Sequence, residues 1–354
     1  MLGGRMPRRL ALLAVFVLAG LPHAHAQDSV AQFYRGRQVT IVVGSPPGGG
    51  FDIYARLVGR HIGKYIPGNP NVIVSNMPGA ASNASLAHIY NVAPRDGTVI
   101  GAPQNSAITD ALFDLQLGNA RKLRHDATKL IQIGSATTDH YVCIGRADGP
   151  IKTFKDALSQ EFLIGASQPG TSTRDYPAML NHTTGSKIRQ VSGYPGTREI
   201  TLAIEKNEVQ GLCGFSWSSL NAQRPDWISS GFIRVVVQEH DKGNPEINKM
   251  GVPLAVDFAT SPENRKIMEL VYSSETFGRP CVTAPEVPAD RVAALRKAFM
   301  EAMKDEDLLA EAKRIRLAID PISGDELQEL AGKIFGTPRD LVEKTKQAME
   351  YKAP

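Results

Sequence analysis

The feature that most constrains this sequence is a repeated order of apolar strand, glycine- and proline-rich loop, and helix. Residues Gln38–Gly44 are β-branched and almost wholly apolar, which is typical of a strand buried on both faces. The loop Ser45–Gly50 interrupts this strand, and apolar residues at helical spacing follow as far as Pro67-Gly68. Strands at 71–75 and 98–102 continue the order. The pattern predicts a βαβαβ unit with a parallel sheet.

A second set of the same elements follows residues 140–146. Strands are predicted at 161–166, 188–192, 208–213 and 232–238, with helices at 175–183 and 197–206 between them. Helices are predicted at 262–273, 288–304, 325–335 and 338–351. The predicted fold class is therefore α/β. The length of 354 residues suits two domains rather than one.

The N-terminus has the pattern of a secretion signal. Three arginines in the first nine residues precede the apolar run Leu10–Leu21, and Ala24-His25-Ala26 has the small-x-small form of a cleavage site. An apolar run of 12 residues is too short to cross a bilayer about 30 Å thick as a helix. We expect a signal peptide at 1–26 and a mature chain that is exported to the periplasm. An uncleaved N-terminal anchor is the alternative.

Charge and motif content exclude several classes of function. The net charge is +4, and without the three N-terminal arginines 37 basic residues face 36 acidic ones, so no nucleic-acid partner is predicted. Three cysteines spaced by 70 and 68 residues resemble no zinc site. Gly44–Phe51 lacks the Lys-Ser/Thr of a phosphate loop, and Gly214–Ser218 lacks the final glycine of a nucleophile elbow. We expect no metal, no cofactor and no catalytic residues.

Four loops rich in Gly, Pro, Ser or Thr occupy matching places in the two sets of elements, at 45–51, 78–82, 167–173 and 193–197. Ligands of open α/β sheets bind beyond the carboxyl ends of the strands, where the following helices begin. Helix N-termini attract anions through unpaired N–H groups and the helix dipole. The loops therefore predict a site for a small carboxylate. The alternative is that they only turn the chain.

The motifs Pro46–Asp52, Pro78-Gly79-Ala80, Pro94–Gly97 and Gly193–Gly211, in this order after a secretion signal, resemble one known family. It comprises the Bug/TctC receptors of tripartite tricarboxylate transporters, which are extracytoplasmic solute-binding proteins. The resemblance implies a type II periplasmic-binding-protein fold, in which two α/β domains joined by two crossing hinge strands enclose a ligand cleft. It places domain 1 at 27–140 plus 285–354, domain 2 at 145–277, and the hinge crossings at 141–146 and 278–284.

The resemblance also implies function. A receptor of this kind captures a dicarboxylate or a related organic acid and delivers it to membrane permease subunits. We expect a monomer that is not an enzyme. A periplasmic sensing module for a membrane kinase, or an enzyme on the same fold, is the alternative. If a disulfide forms, Cys143 and Cys281 are the expected pair, because they lie on the two hinge crossings, which run side by side in this plan.

Position by position, the resemblance implies a set of ligand-binding residues in the loops: Gly48, Gly49, Phe51, Asp52, Ala80, Ala81, Asn105, Ser106, Ala107, Gly170, Thr171, Tyr194, Pro195 and Gly196. Two more follow from the sequence itself. Arg174 is a cation at a helix start, where only a nearby anion, from the ligand or from Asp175, offsets the unfavourable dipole. Trp217 follows a predicted strand end, so it either lines the site or packs in the core. Ala81-Ser82, Gln168-Pro169 and Arg174 depart from the family's pattern.

Overall fold

The structure, a computed structural model, describes residues 29–107, 110–113 and 124–350. The predicted signal peptide and its cleavage site lie outside the described residues. The described chain forms two sheets with helices packed on them, which confirms the predicted α/β fold class.

The bounds of the elements are as follows, in chain order. The strands are Gln38–Val43 (β1), Asn71–Asn76 (β2), Val99–Ala102 (β3), Ile131–Ser135 (β4), Tyr141–Arg146 (β5), Phe162–Ala166 (β6), Ile188–Ser192 (β7), Gly211–Ser216 (β8), Ile233–Glu239 (β9), Pro280–Thr283 (β10) and Ile322–Ser323 (β11). The helices are Gly50–His61 (α1), Asn83–Asn91 (α2), Phe154–Ser159 (α3), Ser172–Thr184 (α4), Thr197–Glu205 (α5), Trp217–Gln223 (α6), Pro245–Lys249 (α7), Pro262–Tyr272 (α8), Ala289–Ala302 (α9), Glu306–Arg314 (α10), Gly324–Phe335 (α11) and Arg339–Met349 (α12).

The first sheet and the helices packed on it form what we call the first half. Within the described residues its strand order is β11-β4-β10-β3-β1-β2, with β1 parallel to both β2 and β3, and β10 antiparallel to β3 and β4. The apolar side chains of β1 are buried because α1 covers the sheet beside it. α1 begins at Gly50, the last residue of the predicted glycine- and proline-rich loop, as expected for an amphipathic helix that follows such a loop.

The second sheet and its helices form the second half. The strand order is β7-β6-β8-β5-β9 in the described chain, with β6 parallel to β7 and β8, and β5 antiparallel to β8 and β9. The carboxyl ends of β6, β7 and β8 therefore lie at one edge, where α4, α5 and α6 begin. This edge faces the corresponding edge of the first half.

The predicted side-by-side arrangement of residues 141–146 and 278–284 is wrong. β5 belongs to the second sheet and β10 to the first, so the two strands are not neighbours. The cysteine pairing that depended on it is also wrong. Cys143 is bonded to Cys213, because β5 and β8 are hydrogen-bonded neighbours, whereas Cys281 is buried as a free thiol in the first half.

The last helix departs from the expected domain division. α11 packs against β4 of the first half, but α12 packs against α4 and α8 of the second half. Ala348 of α12 joins the apolar cluster of that half, and Val342 packs with Leu270 of α8 in another cluster. The assignment of all residues 285–354 to the first half therefore does not fit α12, which packs mainly against the second half, although Val342 also packs with Leu327 and Ile334 of α11.

Candidate ligand-binding site

A cavity of about 400 Å³, called the cavity below, lies between the two halves at the carboxyl ends of their parallel strands. The structure brings together all four glycine- and proline-rich loops identified in the sequence, because each contributes to the cavity wall. The helices α1, α4 and α5 begin at this wall with Gly50, Ser172 and Thr197. Their N-terminal N–H groups and dipoles make the lining favourable for an anion.

Some of the predicted ligand-binding residues line the cavity: Gly49, Phe51, Thr171, Tyr194, Pro195 and Gly196. The turn that contains Gly49 and the turn that contains Gly196 meet across the cavity. A Cβ atom at Gly49 would lie 4.0 Å from Thr197 Oγ1, and one at Gly196 would lie 3.8 Å from Pro46 Cγ. The small residues of these turns therefore keep the space between the halves open for a ligand.

Asp52 and Gly48 shape the first loop without lining the cavity. The Asp52 carboxylate accepts hydrogen bonds from Gly48 N–H at 2.8 Å, Arg56 Nε at 3.0 Å and Asn76 Nδ2 at 2.8 Å. Burial alone would raise the pKa of Asp52, but the hydrogen bonds from Arg56, Gly48 and Asn76 lower it. Asp52 is therefore an ionised group that holds the loop ahead of α1 in place.

The turn that contains Ala80 and Ala81 has left-handed backbone. Ala80, Ala81 and Ser82 have φ values of 47°, 52° and 74°, a conformation that costs conformational energy in any residue other than glycine. Ala81 is fully buried, and the wall of the cavity is formed instead by the preceding Pro78 and Gly79. Ser82 Oγ supports the turn by donating to Gly44 O at 3.1 Å.

The predicted residues Asn105, Ser106, Ala107 and Gly170 lie beside the cavity, and all of them except Ala107 take part in contacts between the halves. Ser106 Oγ donates to Gly170 O at 2.8 Å, and Tyr141 OH donates to Asn105 Oδ1 at 3.1 Å. Ala107 packs in the apolar core of the first half. These contacts fix the loops of the two halves relative to each other.

Arg174 and Trp217 do not line the cavity. Arg174 lies in the first turn of α4, where its N–H donates to Thr171 O at 3.0 Å and its carbonyl accepts from Gln190 Nε2 at 3.0 Å. Trp217 begins α6 and is buried in an apolar cluster of the second half. Its indole N–H donates to Glu246 Oε2 at 3.0 Å. The sequence allowed Trp217 either to line the site or to pack in the core, and it packs in the core.

Arg279, Ser216 and Ser219 also line the cavity, although none of them was among the residues predicted from the sequence. Arg279 is only 4% exposed, and its Nη2 lies 2.7 Å from Asp139 Oδ2. The same nitrogen donates to Ser216 Oγ at 2.6 Å and to Ser219 Oγ at 2.9 Å. Burial raises the pKa of Asp139, and the adjacent guanidinium opposes that shift. No spacing or motif in the sequence identifies this arginine as the one that reaches the cavity.

Two buried carboxyl groups support the cavity wall from behind. Gly214 N–H donates to Glu239 Oε2, and Tyr141 N–H donates to Glu275 Oε2 at 3.2 Å, while Gly214 and Tyr141 themselves line the cavity. Burial raises the pKa of Glu239 to about 8 and raises that of Glu275 well above its usual value. Glu239 is therefore mostly protonated near pH 7, and burial shifts the pKa of Glu275 in the same direction.

The described residues contain no group of three or more His, Cys, Asp or Glu side chains placed to hold a metal ion. None of the helices in the described ranges combines the length and apolar character that crossing a membrane requires. What the site offers is a half-open space with a mostly apolar surface, oriented N–H and O–H groups and the guanidinium groups of Arg198 and Arg279. Such a site can bind and orient a small anion.

The sequence matches no protein-family model and no curated protein sequence. Several solved structures are similar over most of the chain. MatC from Rhodopseudomonas palustris with bound malate has a TM-score of 0.67 at 17% identity, covering 86% of this chain and 99% of that one. The periplasmic binding protein BugD has a TM-score of 0.68 at 17% identity, covering 89% and 98%.

A further R. palustris protein, solved with adipate, has a TM-score of 0.66 at 19% identity, covering 88% of this chain and 97% of that one. These similarities extend over both halves and both sheets. The chain therefore has the fold of the Bug-type periplasmic solute-binding proteins.

Proposed function

We propose that this protein is an exported receptor that binds a dicarboxylate or a related organic acid in the cavity and delivers it to a membrane permease of the tripartite tricarboxylate type. The observation that carries the proposal is the cavity between the halves, on which the N-termini of α1, α4 and α5 converge. Oriented N–H groups at helix starts stabilise a bound carboxylate without a full charge from the protein.

The similar structures support this ligand class. MatC holds malate and the second R. palustris protein holds adipate, both of which are dicarboxylates. BugD is a periplasmic binding protein, which supports export to the periplasm. Cleavage near Ala26 is proposed from the sequence pattern alone. Because these relatives in fold are binding proteins, we assign the cavity a role in capture and release rather than in chemistry. The receptor works as a monomer.

The proposal divides the chain into two domains that close on the ligand. The first domain contains residues 27–140 and the chain from 285 to the end of α11, and the second contains residues 145–277. α12 is assigned to the second domain because its apolar face packs there. The loops Asn105–Ala107 and Gly170–Thr171, which join the halves beside the cavity, are assigned to ligand binding with the residues that line it.

Calorimetry on the mature chain tests the proposal. We expect malate, adipate or a related acid to bind the purified protein and to raise its melting temperature, since a ligand that binds only the folded state stabilises it by mass action. Native mass spectrometry of protein taken from a periplasm should show a co-purified acid, and NMR should recover it chemically unchanged. Absence of both a co-purified acid and binding to any carboxylate at millimolar concentration would contradict the proposal.

A cavity-filling variant locates the binding to this site. Gly49→Leu projects a side chain into the cavity from a residue whose backbone is extended and whose Cβ position is free of close contacts. We expect it to fold and to lose at least tenfold in affinity. Gly332→Leu is the matched control, because a Cβ atom at Gly332 in α11 meets nothing within 4 Å. Equal affinities for the two variants would place binding elsewhere.

A further inference from the structure

Arg279 is held in one orientation at the wall of the cavity. It directly precedes β10 of the first half, yet its Nη2 reaches Ser216 and Ser219 of the second half. Its guanidinium carbon lies 4.3 Å from the ring centroid of Phe51, which lines the cavity beside it. A guanidinium stacked on an aromatic ring and hydrogen-bonded at one end is well ordered before any ligand arrives.

The donor capacity of Arg279 is not used up by the protein. A guanidinium carries five N–H donors, and the two of Nη2 donate to Ser216 and Ser219, while the same nitrogen forms an ion pair with Asp139. Nε and Nη1 are buried and have no hydrogen-bond acceptor among the described residues. Unpartnered donors on a buried cation are costly, so an acceptor that comes within reach of them as the halves close on a ligand would be stabilising.

The surroundings favour a carboxylate as that acceptor. Asp139 neutralises the guanidinium in the ligand-free protein, but its carboxylate occupies only the Nη2 end of the fork. A carboxylate oxygen accepts charge-assisted hydrogen bonds that are shorter and stronger than those of a neutral carbonyl. The starts of α1 and α4 at the same wall favour negative charge as well.

We propose that Arg279 binds a carboxylate of the ligand directly and makes the cavity selective for the ionised acid over its amide. This inference rests on the proposed function and adds to it a named recognition residue. Phe51 and Asp139 are positioning residues in this scheme, since they orient the guanidinium from its face and its Nη2 end. Arg198, beside Glu199, and the helix N-termini also line the cavity, and their attraction for a carboxylate remains when Arg279 is replaced.

The test uses the mature chain and two pairs of probes, malate with malamide and adipate with adipamide. Arg279→Met alone leaves Asp139 as an unpaired buried charge, so the informative variant is Arg279→Met with Asp139→Asn, which removes both charges together. We expect this double variant to lose at least 30-fold in affinity for the dicarboxylate that the parent protein binds, and less than threefold for the corresponding diamide.

A purely structural role predicts that both members of a probe pair weaken by the same factor, and that result would overturn the assignment. An affinity of the double variant for the dicarboxylate within threefold of the parent's would also overturn the assignment. Arg279→Lys is the second variant, for the case that the double variant does not fold. It keeps the ion pair with Asp139 but loses the planar fork, and we expect at least a tenfold loss for the dicarboxylate; an unchanged affinity would overturn the inference.

The outcomes separate the inference from the proposed function. If the parent protein binds a carboxylate and both folded variants bind it equally well, the receptor function stands and the role of Arg279 is wrong. If the parent protein binds none of the acids, the proposed function fails and the role of Arg279 fails with it.

Discussion

The two halves contribute different chemistry to the same cavity. The first half presents mainly backbone and carbon, from residues such as Pro46, Pro47 and Phe51. The second half presents hydroxyl groups that are bonded to one another, with Ser167 Oγ at 2.7 Å from Thr171 Oγ1 and 2.6 Å from Thr173 Oγ1. The first half therefore contributes most of the carbon surface together with the Arg279 guanidinium, and the second half contributes most of the hydroxyl groups.

The backbones of the two walls also differ. The first half places L-residues in left-handed conformation at 80–82, whereas the second half uses glycine where the chain must approach a neighbour closely, at Gly214. The turn at 80–82, which follows Pro78 and Gly79 of the cavity wall, carries backbone strain, whereas the wall at Gly214 is packed tightly against Ser172 and Thr173. Substitutions on the two sides should therefore have effects of different size.

The largest effect is expected from Gly214→Ala in the second half. Gly214 has a φ of 65°, and a Cβ atom there would overlap the backbone carbonyl of Ser172 and lie 2.8 Å from Thr173 N. Strain and overlap together should lower the free energy of unfolding by about 3 kcal/mol. Denaturant unfolding followed by circular dichroism measures the change.

Gly231→Ala is the control for this variant. Gly231 has a φ of 71°, but a Cβ atom there meets nothing within 4 Å, so only the backbone strain of about 1 kcal/mol remains. Equal losses in the free energy of unfolding for the two variants would show that the backbone around Gly214 adjusts to the added Cβ atom. The contrast between the halves would then disappear.

The next effect is the pH dependence of Glu239→Gln. The folded protein keeps Glu239 protonated up to about pH 8, while the unfolded chain ionises it near its usual pKa. Between the two pKa values the folded state therefore binds one more proton than the unfolded chain. The stability that this proton contributes is complete below the pKa of the unfolded chain and is lost as the pH rises through the pKa of the folded protein. Glutamine has no such proton to lose and keeps an oxygen that accepts from Gly214 N–H.

We expect the stability of Glu239→Gln relative to the parent to rise by about 2 kcal/mol between pH 5.5 and pH 7, following about 1.4 kcal/mol per pH unit. Thermal or urea unfolding at the two pH values measures it. The control is Glu326→Gln in the exposed capping box of α11, where hydrogen bonds with Ser323 lower the pKa of Glu326. Its stability relative to the parent should be flat over this range. A flat result for Glu239→Gln would mean that its carboxyl group is ionised in the folded protein.

The smallest effect is expected in the first half, from Ala80→Gly. Ala80 is exposed and has a φ of 47°, so glycine relieves backbone strain without removing buried surface. The gain is partly offset by the greater freedom of glycine in the unfolded chain, which leaves a stabilisation of up to about 1 kcal/mol. Ala84→Gly, in the regular helix α2, should instead destabilise by about 1 kcal/mol. Loss of stability in both variants would show that the turn is unstrained.

Much of the fold follows from local patterns in the sequence. Ile188–Ser192 has the predicted bounds, and β1, β2 and β9 lie within a residue or so of theirs. β8 begins three residues later than predicted, at Gly211, because Glu208 still donates its N–H to Ala203 O at the end of α5. β4 and α10 were not predicted. β4 is short, contains Gln132 and Gly134, and owes its place to pairing with β10.

The site was predictable as a set of loops but not as a set of side chains. Loops that follow parallel strands must meet at one edge, so glycine- and proline-rich composition was enough to locate the cavity. Arg279 could not be found in this way, because its position depends on contacts with Asp139 and Ser216, which are distant in sequence. The disulfide was mispredicted for the same reason, since it depends on the pairing of β5 with β8.

The placement of α12 has a mechanical consequence. Between residues 124 and 350 the chain passes from one half to the other at 136–140, again between β9 and β10, and a third time at 336–338, from α11 to α12. This third link is only three residues long, and a chain of that length spans about 10 Å at full extension. Any rotation of the halves that admits a ligand must therefore keep the end of α11 and the start of α12 within that distance of each other, so the region around this link moves least.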